Sequence, residues 1–371
     1  MLGWLRWSEG ALLLLAIRHV ESGLHWCGGG RSVRCSGDLC FADGNVTLLA
    51  TNNITTSTTA CHFVVHKGLL ARHSPVLQDI FKVLEATKPD SFQGPPIVPL
   101  PDAAEDLACF LTALYDGTSH LHYDITDFTS IAAILRLATK YKVKRLRQDM
   151  LAGMSIAWPR FLTQWEIREA NATSPNGIYE PRKSLPHPIL VIKLAREVNA
   201  PYLLPSAFYD LSRCYPSDTV SGYTCPKTHQ THFLSDSDLT NLLKGKEHTS
   251  RFLSTFIVNE LEGRQPSLAC VYKTEIDPLR KRNCQAAFEA ITFEILRDVN
   301  GVVCHRSSDP LFAIMDAELM QTREDPTGRT DLTVRACEFC RAEFSTVVDA
   351  AREEFWRRLP QWFGLDVHPW P

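Results

Sequence analysis

The stretch at residues 63–81 carries the strongest indication of the fold and reads FVVHKGLLARHSPVLQDIF. Together with Cys61 and His62, its first residues form a run rich in β-formers, which predicts a strand. From Lys67 onward the apolar residues recur at helical spacing. The sequence therefore predicts either one amphipathic helix or two short helices separated at Ser74-Pro75.

Two further strands are predicted on the N-terminal side of this stretch. Residues 38–41 and 45–50 are short strand-like runs, and the Asp43-Gly44 pair between them is a strong signal for a hairpin turn. The Thr- and Asn-rich residues 51–60 are expected to form an exposed loop. Residues 1–37 are expected to be a flexible tail, because their apolar core is too short to cross a bilayer and no small-x-small cleavage site follows it.

A helix is predicted on the C-terminal side of this stretch, because apolar residues recur there at helical period. Its core-facing residues are Leu107, Phe110, Leu111 and Leu114.

Residues 38–158 resemble the BTB/POZ domain. The match begins with a strand that ends in His, an apolar pair, a Ser and a terminal Phe. The later segments resemble, in order, the family's fourth strand and the cap of its third helix (residues 97–102), the third helix itself, and the closing helix pair (residues 128–141 and 143–156). The resemblance implies an α+β fold, a small sheet with helical hairpins, that binds other proteins and has no catalytic site. Trp158-Pro159, residues 204–213 and residues 351–365 are similar to a large fungal group of BTB proteins with a helical C-terminal half.

The rest of the chain is accordingly expected to be a helical extension over residues 159–214 and a mainly α-helical domain over residues 215–371. Residues 235–238 and Asp309-Pro310 are predicted helix starts, and Gly245 is a predicted helix end.

A partner surface follows from the same resemblance, since BTB adaptors use the third helix to hold a substrate against the cullin scaffold of a ubiquitin ligase. The 100° step of a helix places four residues opposite its core-facing side. These candidate contact residues are Glu105, Cys109, Thr112 and Asp116. The alternative interpretation is an ordinary solvated helix face.

Composition and charge narrow the function classes. Hydrophobic residues make up 44% of the 371 residues, so the chain can bury the cores of two or three units. Lys and Arg total 39 against 42 Asp and Glu, which excludes nucleic-acid binding driven by charge alone. No nucleophile elbow, phosphate-binding loop or His-Glu-x-x-His motif occurs, so the sequence predicts neither an enzyme nor a cofactor.

Twelve cysteines are scattered along the chain, which favours reduced thiols in a cytoplasmic or nuclear protein. Cys337 and Cys340 form a Cys-x-x-Cys pair that could complete a four-thiolate zinc site with Cys270 and Cys284. The pair, however, falls on one face of a continuous helical pattern, which buried thiols acting as small hydrophobes explain as well. The sequence therefore predicts no metal ligand. Further residues considered as ligands are Cys225, Cys304, His229, His232 and His305.

The leading hypothesis is an intracellular protein–protein interaction module that acts as a substrate adaptor for a cullin-type ubiquitin ligase. One alternative is a self-associating structural or transcriptional scaffold, which would be a homo-oligomer. The other is a zinc-stabilised binding module. In each case the expected partners are proteins, with no role for nucleic acid or membrane.

Overall fold

The computed structural model describes residues 34–50, 61–86, 95–176, 178–226, 228–297, 306, 309–320 and 335–371. The chain divides into two compact units at the boundary between Gly153 and Met154. The finer division of the C-terminal part at residue 214 stays a prediction. Residues 1–33 of the predicted tail and the predicted loop at residues 51–60 lie outside the described residues.

The first unit contains a four-stranded sheet in the order β1-β3-β2-β4. Its strands are β1 (Arg34–Cys40), β2 (Val46–Ala50), β3 (Cys61–Val65) and β4 (Ile97–Leu100). β3 runs parallel to β1 and antiparallel to β2, and β4 runs parallel to β2. Because β1 begins at Arg34, the last residues of the predicted tail belong to a strand. Cys40 at the end of β1 is disulfide-bonded, so the expectation of reduced thiols is wrong at this position.

The predicted hairpin between the first two strands is wrong, because β3 lies between β1 and β2. The turn at Asp43-Gly44 does form, and the Gly44 N–H donates to the Phe41 carbonyl at 3.1 Å. A Cβ at Gly44 would lie only 2.7 Å from Cγ1 of Val64 in β3. Glycine therefore serves here to carry the connection closely past a neighbouring strand.

The helices of the first unit are α1 (Lys67–His73), α2 (Pro75–Ala86), α3 (Ala104–Tyr115), α4 (Phe128–Lys140) and α5 (Lys144–Ala157). The separate α1 and α2 confirm the second of the two sequence alternatives, since the backbone is extended at Ser74. The buried Ser74 hydroxyl donates to the Tyr141 carbonyl at 2.6 Å and accepts from the Leu77 N–H at 3.0 Å. One serine thus begins α2 and joins it to the end of α4.

The second unit is mainly helical, as predicted. Its helices are α6 (Leu162–Asn171), α7 (Pro188–Glu197), α8 (Leu204–Ser212), α9 (Pro216–Ser221), α10 (Asp236–Phe256), α11 (Pro278–Lys281), α12 (Asn283–Arg297), α13 (Pro310–Leu319) and α14 (Glu338–Trp362). A 3-10 turn (Pro201–Leu203) precedes α8, a π-helical turn (Ile257–Leu261) extends α10, and a two-stranded ribbon joins β5 (Tyr223–Thr224) to β6 (Thr231–His232). None of the helices in the described part of the chain has the length and hydropathy of a membrane-crossing segment.

Two predicted helix starts in the second unit are confirmed, and one predicted helix end is wrong. Ser235 caps α10 by accepting from the backbone at 3.1 Å, and Asp309 caps α13 in the same way at 3.1 Å. Gly245 does not end α10, which continues to Phe256. A Cβ at Gly245 would lie 2.0 Å from the Phe363 ring, so the glycine permits a close approach between two packed elements.

An ionic cluster lies within the second unit. Five of its members are buried and the sixth, Arg182, is half-buried; the buried members are Arg168, Glu169, Asp210, Arg213 and Asp309. Asp210 accepts hydrogen bonds from three guanidinium groups, those of Arg168 at 2.8 Å, Arg182 at 2.9 Å and Arg213 at 2.6 Å. Burial alone would raise the pKa of Asp210. The surrounding cations outweigh burial and hold this pKa well below its ordinary value, so the carboxylate is charged inside the fold.

Candidate functional site

The exposed side of α3 is the first candidate surface. Leu107, Phe110 and Leu111 are buried as predicted, whereas Leu114 is half-buried. The four candidate contact residues divide into an exposed pair, Glu105 and Asp116, and a half-buried pair, Cys109 and Thr112. An acidic side chain is therefore accessible near each end of the helix. The role of these four residues in partner binding stays a prediction.

Hydrogen bonds hold α3 at both of its ends. Just before the helix, the buried Asp102 carboxylate accepts from Nζ of Lys140 at 2.6 Å and from the Tyr141 hydroxyl. Asp102 therefore connects the segment before α3 to the end of α4. It is not the N-cap residue of α3, because that position is Ala103, whose side chain makes no capping hydrogen bond. At the end of the helix, the Tyr115 hydroxyl accepts from the His66 backbone N–H at 2.9 Å. The exposed side of α3 is therefore presented by a helix that is fixed to the rest of its unit.

The second candidate site is a group of four cysteine side chains in the second unit, called the thiol cluster below. Its members are Cys270, Cys284, Cys337 and Cys340, and their sulfur atoms all lie within 4.8 Å of one another. All four are free thiols and buried, with no more than 8% of any of them exposed. Three elements bring them together: the loop before α11, the first turn of α12 and the start of α14.

Other ligands considered from the sequence do not join the cluster. Cys225, His229 and His232 are not among the grouped residues, and Cys304 and His305 lie outside the described part of the chain. The fold therefore brings together the same four cysteines that the sequence offered as a possible four-thiolate site.

The sequence argument against a metal site assumed that Cys337 and Cys340 lie within one continuous helix, and this assumption is wrong. α14 begins at Glu338, and Cys337 is its N-cap residue with an extended backbone. The Cys337-x-x-Cys340 pair therefore spans the entry to a helix and does not lie within a continuous one. At a helix start the first backbone N–H groups have no intrahelical acceptor, so they are available to the two sulfur atoms.

Aromatic packing fixes the two helices that carry most of the thiol cluster. Phe288 follows Cys284 by four residues and Phe344 follows Cys340 by four, so each ring lies on the same helix face as its cysteine. The two rings pack edge to face with centroids 5.2 Å apart, and the Arg264 guanidinium lies over both of them. Sequence reasoning missed these three residues, although the repeated Cys-x-x-x-Phe spacing was a usable signal.

Backbone groups donate hydrogen bonds to the sulfur atoms. The Ser267 N–H donates to Sγ of Cys340 at 3.3 Å, and the Cys337 N–H donates to Sγ of Cys284 at 3.1 Å. These bonds tie the preceding loop and the start of α14 to the cluster.

Three of the four thiols, those of Cys284, Cys337 and Cys340, have shifted pKa values. Burial raises the pKa of Cys284 and raises the pKa of Cys340 to about 11. Burial acts on Cys337 in the same direction, but hydrogen bonds from the backbone N–H groups of Cys340 and Val271 outweigh it and hold the pKa of Cys337 at about 7. Ionisation of Cys284 and Cys340 at neutral pH therefore requires a compensating positive charge.

Comparison with known proteins identifies the first unit. Residues 45–153 match the family model of the BTB/POZ domain, a span that runs from the start of β2 into α5. The predicted BTB/POZ domain and its α+β fold with a small sheet are therefore confirmed. No curated protein matches the chain. The likeness of the C-terminal half to a fungal group stays a prediction.

Proposed function

We propose that this chain, whose residues 45–153 form a BTB/POZ domain, is an adaptor that works inside the cell, in the cytoplasm or the nucleus. BTB/POZ domains are protein–protein interaction modules, and the family match is the observation that carries the proposal. In this proposal the exposed side of α3 binds a cullin-type scaffold of a ubiquitin ligase, and the helical second unit binds the substrate protein.

The properties of α3 support a docking role. The exposed Glu105 and Asp116 flank the half-buried Cys109 and Thr112, which gives a charged rim around a less polar centre. The bonds of Asp102 and Tyr115 fix the helix before any partner arrives, so binding there does not require ordering of the helix.

Co-purification with a tagged full-length chain tests the adaptor role. The wild-type protein is expected to retain a cullin, and the double charge reversal Glu105→Lys with Asp116→Lys is expected to lose it. The matched control reverses two exposed acidic residues elsewhere in the same domain, Asp79→Lys and Asp149→Lys, and is expected to retain the cullin. Circular dichroism checks that both variants fold. Absence of any cullin from the wild-type sample, or equal retention by both variants, would contradict the adaptor role.

Self-association is the competing proposal, and one observation favours it. β4 is an edge strand of the described sheet, and half of Ile97 in that strand is exposed. Edge strands can pair with another chain, so in this proposal two copies join along β4. Light scattering on the purified full chain separates the two proposals: a stable oligomer that Ile97→Lys dissociates would favour the scaffold, whereas a monomer would count against it.

A further inference from the structure

We infer that Cys270, Cys284, Cys337 and Cys340 bind one Zn²⁺ as four thiolates, and that this ion is a structural part of the second unit. The inference goes beyond the proposed interaction role of the BTB/POZ domain and does not depend on it.

Two sulfur–sulfur distances match the edges of a tetrahedral zinc site, and all four sulfur atoms lie within 4.8 Å of one another. Four sulfurs each about 2.3 Å from one ion sit at the corners of a tetrahedron whose edges are about 3.8 Å. The sulfur of Cys270 lies 3.6 Å from that of Cys284 and 3.8 Å from that of Cys337. A disulfide would require a separation of about 2.05 Å. The arrangement therefore fits ligands around a common centre and does not fit bonded pairs.

Beyond Arg264, whose guanidinium packs over Phe288 and Phe344, the loop that carries Cys270 buries little that could hold it in place. Between Leu261 and Cys284, Cys270 is the single buried residue. Apolar side chains of the same segment point to solvent, with Leu268 exposed by 88% and Ile276 by 96%. Hydrophobic burial cannot order an irregular segment that buries one small side chain. A bond from the Cys270 sulfur to an ion shared with α12 and α14 supplies the missing restraint.

The surroundings of the cluster favour negative charge on sulfur. Cys284 and the Cys337-Cys340 pair lie at the N-terminal ends of α12 and α14, where the helix dipoles are positive. The backbone N–H groups of Ser267 and Cys337 point at sulfur atoms of the cluster, and these are the outer contacts that orient thiolate ligands.

The class of metal and its role follow from the donor set. Four thiolates in a tetrahedron favour zinc or an iron–sulfur centre among the metals common in proteins. A site with four protein ligands leaves no position for water or substrate, so zinc bound here is structural and not catalytic. Structural zinc is coupled to folding, and its removal is expected to loosen the loop and the starts of both helices.

Metal analysis of the full-length chain, purified from cells grown with added zinc and without chelators, is the direct test. We expect about one zinc per chain. An organomercurial that blocks thiols should release the zinc, and cobalt(II) exchanged into the protein should give the intense visible absorption of tetrahedral coordination together with a thiolate charge-transfer band.

Variants separate this site from zinc bound elsewhere. Cys270→Ser changes the loop ligand and leaves α12 and α14 intact, and it is expected to lose the zinc and the cobalt charge-transfer intensity. Cys214→Ser alters a half-buried free thiol of the same unit outside the cluster and is expected to keep both. The inference is overturned if the wild-type chain contains no zinc, if it contains iron with inorganic sulfide, if the four cysteines are disulfide-bonded, or if Cys270→Ser retains a full equivalent of zinc.

Discussion

We expect Asp210→Asn to destabilise the second unit strongly, because the Asp210 carboxylate is the shared acceptor of three guanidinium groups. The amide keeps the size of the side chain but removes its charge. Arg168 and Arg213, which are 6% and 5% exposed, then lose a buried counter-charge. Removing one partner of a buried ion pair costs about 3–5 kcal/mol. For a unit of this size, that loss lowers Tm by about 6 to 20 °C.

Tryptophan fluorescence during urea unfolding of the full chain measures this loss. All tryptophans that the structure describes lie in the second unit, and they are Trp158, Trp165, Trp356, Trp362 and Trp370. Trp165 reports on the ionic cluster directly, because the guanidinium groups of Arg168 and Arg213 lie 4.4 and 5.0 Å from its ring centroid. The unfolding midpoint should fall, and the emission of the folded state should change as the cluster rearranges.

A matched control separates loss of the buried charge from the chemical change itself. Asp366→Asn makes the same replacement at a side chain that is 98% exposed, and it should shift the free energy of unfolding by less than about 0.5 kcal/mol. Adding Arg182→Gln to Asp210→Asn should cost less than the sum of the two single changes, because both remove the same interaction. If Asp210→Asn lowers the free energy of unfolding no more than Asp366→Asn does, the charge of Asp210 does not stabilise the second unit.

Two further changes test other parts of the second unit. His187 caps α7 and stacks on Tyr223, and burial together with the nearby Arg182 cation lowers its pKa to about 4. The unfolded chain takes up a proton near pH 6.5 that the folded state resists, so stability is complete above that pH and falls toward pH 4 by at most about 3 kcal/mol. His187→Asn, which keeps a capping side chain, should remove this dependence in urea titrations across the same pH range, and an unchanged profile would contradict the assignment. Gly245→Ala should lower the unfolding midpoint by an amount corresponding to about 1–3 kcal/mol, because the new methyl group meets the buried Phe363 ring. Gly68→Ala, in a helix with open space around the glycine, is its control, and equal effects of the two changes would refute the packing argument.

The sequence predicts correctly those helix starts and breaks that neighbouring residues in the chain determine. Ser235 and Asp309 cap the helices that follow them, and the extended backbone at Ser74 separates two helices as its Pro neighbour suggests. The errors concern contacts between residues far apart in the chain. The Asp43-Gly44 turn reverses the chain as predicted, but β3 lies between β1 and β2 and pairs with both. The aromatic ring that packs against Gly245 belongs to Phe363, more than 100 residues later in the chain.

The ionic cluster was missed for a related reason. Asp210 and Arg213 are three residues apart on a helix, a spacing that usually indicates an exposed ion pair of little energetic weight. Their other partners come from α6, from residue 182 and from the start of α13, and no local pattern connects these segments. One sequence signal was available. Residues 204–213 are mostly apolar around the whole helix, which indicates that α8 is buried on all sides, so its few polar side chains must also be buried.

Helical periodicity in the sequence cannot distinguish a metal-binding cysteine pair from two buried cysteines of a continuous helix. Two cysteines three residues apart lie on one side whether both are inside a helix or the first is its N-cap, so Cys337 and Cys340 fit either interpretation. The decisive residue is Cys270, because it belongs to a segment without apolar periodicity and is the single buried residue between Leu261 and Cys284. Leu268 and Ile276, apolar residues of the same segment, are exposed, whereas the sulfur of Cys270 lies within 4.8 Å of the three other sulfur atoms. A metal ion shared by the four thiolates explains why this one side chain of the segment is buried.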